Sequence, residues 1–386
     1  LITAALVFGP GSLTVTSKLG AAFGFDLLWV IPPTVLLMIC FTLMSTKIGV
    51  KSPISLLQLF RKKWGKWAAI ACGFALFFVT ASFQAGNTIG AGIAFAESLQ
   101  TPAWPWIVLV SFSAIGLLFF KSFYKILERV MILMVSVMLV SFLFTLFLSN
   151  PDWGMVLEGL SPKVPEGALL LLVALVASSF SIGGAFYQSY LVQEKGWKSN
   201  ESKPAMVEGV SGILVLGVIT GTIMMSAAAI LRPQGVEVTS AGDMGIALAP
   251  LYGNWAGVVF MIGLFGASFS SLVGNATIGG TLCSDALNYG RSLNGLPVKL
   301  FISLVIFIGA FVALAFGRLP LELIVFAQGI TIFAVPFIGL GILLVANDKA
   351  IMGESINGRL LNIMGILGIL VLFFLAGTNF YQLFIK

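Results

Sequence analysis

The chain is 386 residues long, 59% hydrophobic and only 9% charged, with a mean hydropathy of +1.06 and a net charge of +6. Soluble domains carry about 25% charged residues, so the composition excludes that class and requires a polytopic membrane protein. At about 20 apolar residues per crossing, the length allows roughly 10 to 12 helices.

Histidine is absent, which removes the commonest transition-metal ligand and the usual proton shuttle near neutral pH. Cys40, Cys72 and Cys283 are scattered through apolar runs without C-x-x-C spacing, so neither a disulfide framework nor a zinc site is expected. The placement of the basic residues points to membrane topology, so nucleic acid is not an expected partner. Gly90-x-Gly92 lies inside an apolar span with no strand before it and is not a dinucleotide motif. With no nucleophile–histidine pair and no metal-hydrolase spacing, neither enzymatic activity nor a cofactor is expected.

The first apolar span, 1–23, contains the helix-breaking Gly9-Pro10-Gly11-Ser12. It is already apolar at Leu1, so a short segment is expected to precede it. In lipid no water satisfies free backbone groups, so a break at membrane depth must be buried in protein or line a cavity. Spans follow at 26–49, 67–96, 104–120 and 126–148. A sixth, 167–192, holds a second weak point at Ser181-Ile182-Gly183-Gly184. Then come 206–231, 253–284, 297–316, 321–346 and 360–383. Either break is also readable as a glycine kink for close helix packing.

Lys and Arg set the orientation. With a cytoplasmic N-terminus, Lys47, Lys51, Arg61, Lys62, Lys63 and Lys66 fall on the inside, in the connection between spans 2 and 3. Later inside connections carry Lys121, Lys125, Arg129, Lys195, Lys198, Lys203, Arg291, Lys299, Lys349 and Arg359. Only Lys163, Arg232, Arg318 and Lys386 fall outside, and Lys18 sits within span 1. One break in each half, with the halves oppositely oriented, is the signature of an inverted-repeat transporter. The expected architecture is a single all-α membrane domain over 1–386 of the LeuT type. Its 5+5 inverted repeat comprises repeat one at about 1–148 and repeat two at about 167–346, with an extra helix at about 360–383.

Several segments resemble one family. Gly9-Pro10-Gly11-Ser12 through Phe23-Gly24-Phe25-Asp26-Leu27-Leu28-Trp29 resembles the first two helices of the Nramp metal transporters, where Asp-Pro-Gly-Asn is followed by G-Y-x-L-L-W. Pro151-Asp152-Trp153 resembles the family's P-D-W segment, and Leu248-Ala249-Pro250-Leu251 its L-x-P-L. Asn347-Asp348-Lys349-Ala350-Ile351-Met352-Gly353-Glu354 is similar to S-D-x-x-x-M-G-E. The resemblance runs from span 1 to the connection between spans 10 and 11.

The functional positions depart from the family pattern. The family's metal-binding Asp falls on Gly9 and its Asn on Ser12. In span 6 its Ala, Met, Pro and His fall on Ser178, Ser181, Ile182 and Gly183. The acidic pair linked to proton movement falls on Gln84 and Asn87, and two Gln positions fall on Phe269 and Ala334. The pattern resembles a divergent branch, the Nramp-related magnesium transporters. What this implies is a plasma (inner) membrane secondary transporter working by alternating access, without proton coupling. Its substrate would be a partly hydrated divalent cation, magnesium before manganese.

The substrate set implied is Gly9, Ser12, Thr16, Ser178, Ser181, Gly183, Phe269 and Ala334, with Gln84, Asn87 and Lys18 along a polar path. Thr14 and Ser179 add hydroxyls. Losing Met removes the soft ligand that favours manganese and iron. Magnesium keeps several of its waters, which suits a hydroxyl-lined pocket lacking any direct acidic ligand. The Ser/Thr cluster is equally readable as helix-packing glue, and Lys18 as a snorkelling side chain. Positive half-helix N-termini and Lys18 leave an anion or small polar organic solute open. A non-transporting membrane sensor is the alternative from another class. Such a sensor is expected to carry a large output domain, and the end of the chain at Lys386 weighs toward transport.

Overall fold

The computed structural model describes residues 6–120, 123–316 and 321–384. Eight helical segments are long and apolar enough to cross a membrane, counting Leu169–Glu194 as one. Three further helices complete the expected set: α1 (Pro10–Phe23), α5 (Ala103–Leu118) and α14 (Leu321–Ala346). The other spanning helices are α2 (Ile31–Lys51), α4 (Lys66–Leu99), α6 (Phe123–Ser149), α8 (Leu169–Ser179) with α9 (Ile182–Glu194), α10 (Ser202–Ile230), α12 (Asn254–Ala286), α13 (Leu296–Phe316) and α16 (Arg359–Phe384). Four short helices sit in connections: α3 (Leu56–Trp64), α7 (Trp153–Glu158), α11 (Asp243–Tyr252) and α15 (Lys349–Met352). No strand occurs among the described residues.

Local chemistry sets these ends. Pro10 opens α1 at a position where its missing N–H costs nothing. Asp152 caps α7 through the N–H groups of Gly154 and Met155, and Ser55 caps α3 through that of Gln58. Gly65 at φ 88° turns the chain sharply between α3 and α4.

Packing shows the inverted arrangement. Helix α1 packs on α10, and α9 packs on α2. Spans 1 and 7 thus pair as spans 6 and 2 do, the exchange that a two-fold relation between spans 1–5 and 6–10 requires. Spans 3 and 8, α4 and α12, lie antiparallel along each other. Gln84 of α4 donates to the Leu272 carbonyl of α12 at 2.9 Å. A Cβ built at Gly73 would lie 2.4 Å from Ala286 Cβ, and one built at Gly279 would lie 2.1 Å from Thr80 Oγ1. Small residues therefore bring the two backbones close, which is how helices adhere where no hydrophobic driving force acts between them.

Two details differ from expectation. The second break falls at Phe180 and Ser181, so Ile182, Gly183 and Gly184 already belong to α9. Ser181 caps that helix, its Oγ accepting from the Gly184 N–H at 3.2 Å, so the serine rather than the glycine pair marks the start. Span 8 also runs two residues past 284, to Ala286, and carries Asp285 into the packed interior at 4% exposure.

Candidate functional site

At the first break, residues 8 and 9 leave the helix, and Gly9 is extended at φ −128° and ψ −176°. The freed Phe8 carbonyl accepts from Ser271 Oγ of α12 at 2.6 Å. The Gly9 carbonyl accepts from the Leu13 N–H at 3.0 Å and opens α1. At the second break, α8 ends at Ser179 and α9 begins after Ser181. Half-helix ends leave backbone N–H and carbonyl groups without intrahelical partners, and the two breaks place them around one space.

That space is a cavity of ≈ 40 Å³, room for roughly three waters. Its polar lining comes from Gly9, Gly11 and Ser12 at the first break and from Ser178, Ser181 and Gly183 at the second. Asn87 of α4 and Asn275 of α12 face it from the scaffold pair, and Val7, Val79, Phe83 and Val335 form apolar wall. The lining contains no carboxylate and no thioether. Among the described residues no group of three or more His, Cys, Asp or Glu gathers anywhere in the fold.

The orientation of Asn87 is fixed by a relay. Gln84 Nε2 donates to the Leu272 carbonyl at 2.9 Å, and Asn87 Nδ2 donates to Gln84 Oε1 at 2.8 Å. A backbone carbonyl can only accept, so it turns the Gln84 amide nitrogen toward itself. The Gln84 oxygen then turns the Asn87 nitrogen away from the break. Asn87 Oδ1 is left beside Gly9, where a built Cβ would lie 2.7 Å from it. The same Cβ would lie 3.0 Å from Ser271 Oγ. Gly9 is thus the residue the close approach of three helices requires, and a carboxylate side chain at this position has no room in this arrangement.

The residues singled out from the sequence divide. Gly9, Ser12, Ser178, Ser181, Gly183 and Asn87 line the cavity together. Gln84 is fully buried behind Asn87 and acts through it. Thr16 is fully buried in α1 with its Oγ1 unpartnered, away from the cavity. Thr14 Oγ1 is spent on the Pro10 carbonyl at 2.7 Å. Phe269 stacks on Phe265 with ring centroids 5.4 Å apart, and Ala334 lines a separate apolar groove. Lys18 and Ser179 are not among the cavity-lining residues. Asn275 was missed from sequence. Its signal is its place one helical turn after Ser271, on the same face of an apolar span.

A second polar cluster closes the end of the molecule beyond α9. The Asp285 carboxylate accepts from Tyr190 OH of α9 at 2.6 Å, from Gln58 Nε2 at 2.9 Å and from Ser55 Oγ. Arg291 donates to the Pro53 carbonyl at 3.2 Å and to Gln193 Oε1, while Gln193 Nε2 donates to the Ser52 carbonyl at 2.8 Å. These bonds tie the C-terminal end of the broken span to α12 and to the connection that carries α3. Nearby, Lys195 bridges Glu128 and Glu208, each at 2.7 Å. Burial pulls the Lys195 ammonium pKa down, but the two carboxylates outweigh it and raise the value above normal.

The comparisons agree with this geometry. The family model described as natural resistance-associated macrophage protein-like, Nramp, matches residues 1–382. A divalent metal cation transporter MntH of Caldanaerobacter subterraneus is 23% identical over 96% of this chain and 89% of its own length. One from Deinococcus radiodurans is 26% identical over 97% and 86%. Among solved structures, a manganese transporter of Eremococcus coleocola superposes with a TM-score of 0.76 at 20% identity, over 100% of this chain and 86% of its own. MhsT in complex with L-phenylalanine superposes at 0.61 with 15% identity, over 97% of each chain. The fold is therefore the LeuT-type inverted repeat with an eleventh helix, and the chain belongs to the Nramp family.

Proposed function

We propose that this chain is a secondary transporter that moves a divalent cation by alternating access around the cavity between the two breaks. The ion keeps part of its hydration shell, and magnesium is the preferred substrate, with manganese a second. One observation carries the reading: a cavity with room for roughly three waters, lined by hydroxyls, two amides and half-helix ends, with no carboxylate and no sulfur. A bare divalent ion there would face a desolvation penalty of several kcal/mol without an anionic partner. An ion that keeps its waters lets them bridge to Ser12, Ser178, Ser181, Asn87 and Asn275. Magnesium is bound by few protein oxygens and several waters as a rule, and the absence of a thioether removes the softer donor that selects for manganese. The relay through Gln84 aims an acceptor oxygen, Asn87 Oδ1, at the site, which suits a cation.

Proton coupling is not expected, because Gln84 and Asn87 do not titrate and stand where the family carries acids. The excess of Lys and Arg in alternate connections supports a cytoplasmic N-terminus, and the membrane we assign is the plasma membrane. Repeat one spans about 1–148 and repeat two about 167–346. Uptake of magnesium, manganese and calcium into proteoliposomes, with and without a pH gradient, tests the reading. Saturable magnesium uptake indifferent to the gradient is the expected result. No uptake of any metal, or uptake that follows the gradient, overturns it.

A further inference from the structure

A second cavity lies between α9 and α12, toward the C-terminal end of α9. It is ≈ 80 Å³ in volume, room for roughly six waters. Its polar lining is Tyr187, Tyr190, Gln193, Glu194, Thr281 and Arg291. Helical spacing ties it to the cavity between the breaks. Gly183, Tyr187, Tyr190 and Glu194 recur at intervals of four, three and four residues, so they share one face of α9. Gly183 lines the central cavity, and the other three line the second.

The facing stripe of α4 continues in the same direction. Asn87, Phe83 and Val79 line the central cavity, and Leu76 follows them on the same face without reaching it. Gly73 abuts Ala286 and Thr80 abuts Gly279, so Leu76 lies at the depth of the α12 segment that carries Thr281. A Cβ built at Gly183 would lie 3.2 Å from Leu76 Cδ2, which puts Leu76 against α9 at the rim of the central cavity. Tyr187 follows one turn further along α9, its OH 3.5 Å from Thr281 Oγ1 and its ring stacked on Tyr190. Leu76 is fully buried and Tyr187 is 2% exposed. Two cavities strung along one helix face and parted by two packed side chains make an interrupted passage. Apolar constrictions of this kind close a path by excluding water.

We propose that Leu76 and Tyr187 form the gate of the transport path on the side of Asp285, and that the second cavity is the vestibule into which the gate opens. The assignment rests on the transport reading for what passes, but the barrier itself is testable without any metal. The bond from Tyr190 to Asp285 ties α9 to α12 beside the vestibule. The plug and that bond therefore close the route in series, and both release when α9 moves away from α4 and α12.

Cysteine labelling in membrane vesicles tests the gate. Ser178→Cys, in a background with the three native cysteines replaced by serine, reports on the central cavity. Lys198→Cys identifies the vesicles whose Asp285 side faces a membrane-impermeant methanethiosulfonate. In those vesicles Ser178→Cys is expected to be protected. Leu76→Ala and Tyr187→Ala, on opposite walls, should each end that protection. Leu76→Val, which deletes a single methylene, should give an intermediate rate on a fold it barely disturbs. Tyr187→Phe keeps the ring and should stay protected. Leu264→Ala, an equal deletion at a fully buried position elsewhere on α12, should also stay protected. Parent labelling as fast as in Leu76→Ala overturns the proposal. So does protection that persists in the folded Leu76 and Tyr187 variants, or an equal loss from Leu264→Ala. Failure of metal uptake would remove the transport reading and leave the labelling pattern standing, so the two are separable.

Discussion

The bond between Tyr190 and Asp285 makes the closure beyond α9 open to a direct test. Tyr190→Phe removes one hydroxyl and keeps the ring, which stacks on Tyr187 at 5.6 Å and 9°. The lost bond is a short one, 2.6 Å, to a carboxylate at 4% exposure. Hydrogen bonds to charged groups contribute about 1.5–3 kcal/mol. Gln58 and Ser55 still donate to the carboxylate, so the fold keeps its partners for Asp285. Under the alternating access proposed above, α9 parts from α12 when the cavity opens on this side, and the missing bond is one that only the closed arrangement makes. The population with α9 detached should therefore rise roughly 10- to 150-fold. Double electron–electron resonance between spin labels at Lys198 and Tyr289, both exposed, reads that separation. The labels go into a background with Cys40, Cys72 and Cys283 replaced by serine. A longer-distance population that grows in Tyr190→Phe and again in Tyr190→Phe/Ser55→Ala is expected. A distance distribution identical to the parent, in a protein that melts at the same temperature, refutes the latch.

Gly9→Ala should abolish uptake with little change in expression, because its Cβ must displace Asn87 Oδ1, 2.7 Å away; a transport assay on purified protein checks it. Ser181→Ala removes the cap of α9 and should cost about 1 kcal/mol, read as a lower melting temperature together with slower uptake. Gln84→Leu frees Asn87 to rotate, so affinity for the cation should fall while maximal rate and stability change less; uptake against ion concentration separates these. A hydrogen bond from Lys63 holds the Asp348 carboxyl below its usual 3.8. The bond therefore contributes in full above that value and is lost as pH falls through the lowered one. Hydrogen-exchange protection along α3, corrected for the intrinsic pH dependence of amide exchange, should be flat from neutral pH to about 5 and fall only in stronger acid.

Spans and breaks were legible in the sequence because lipid demands long apolar runs and tolerates few departures from helix. Gly9-Pro10 stands out for that reason, and so does the weak point near Ser181. Cavity-lining residues close to the breaks, Ser12 and Ser178 among them, followed from the family pattern laid over the two broken spans. Those assigned by alignment across a whole span, Phe269 and Ala334, did not reach the cavity, because which face of an apolar helix turns inward depends on neighbours and not on its own pattern. Helix α12 is buried along most of its length, so its sequence shows no clean polar stripe to mark Asn275. The Asp285 cluster was illegible for a different reason. Its members come from α3, α9 and α12, and each alone reads as an ordinary residue near a helix end.

The Gln84 relay has a consequence for how selectivity is inherited. Its anchor is the carbonyl of Leu272, 188 positions along the chain from Gln84, and a main-chain oxygen has the same polarity whatever side chain residue 272 bears. Drift at that position leaves the pocket's preferred charge untouched. A single amide exchanged at position 84 does not, although that side chain never meets the solute. The sign of the cargo is thus stored in backbone and merely read out by Asn87, so a variant with altered ion preference is to be sought one layer behind the pocket rather than in its lining.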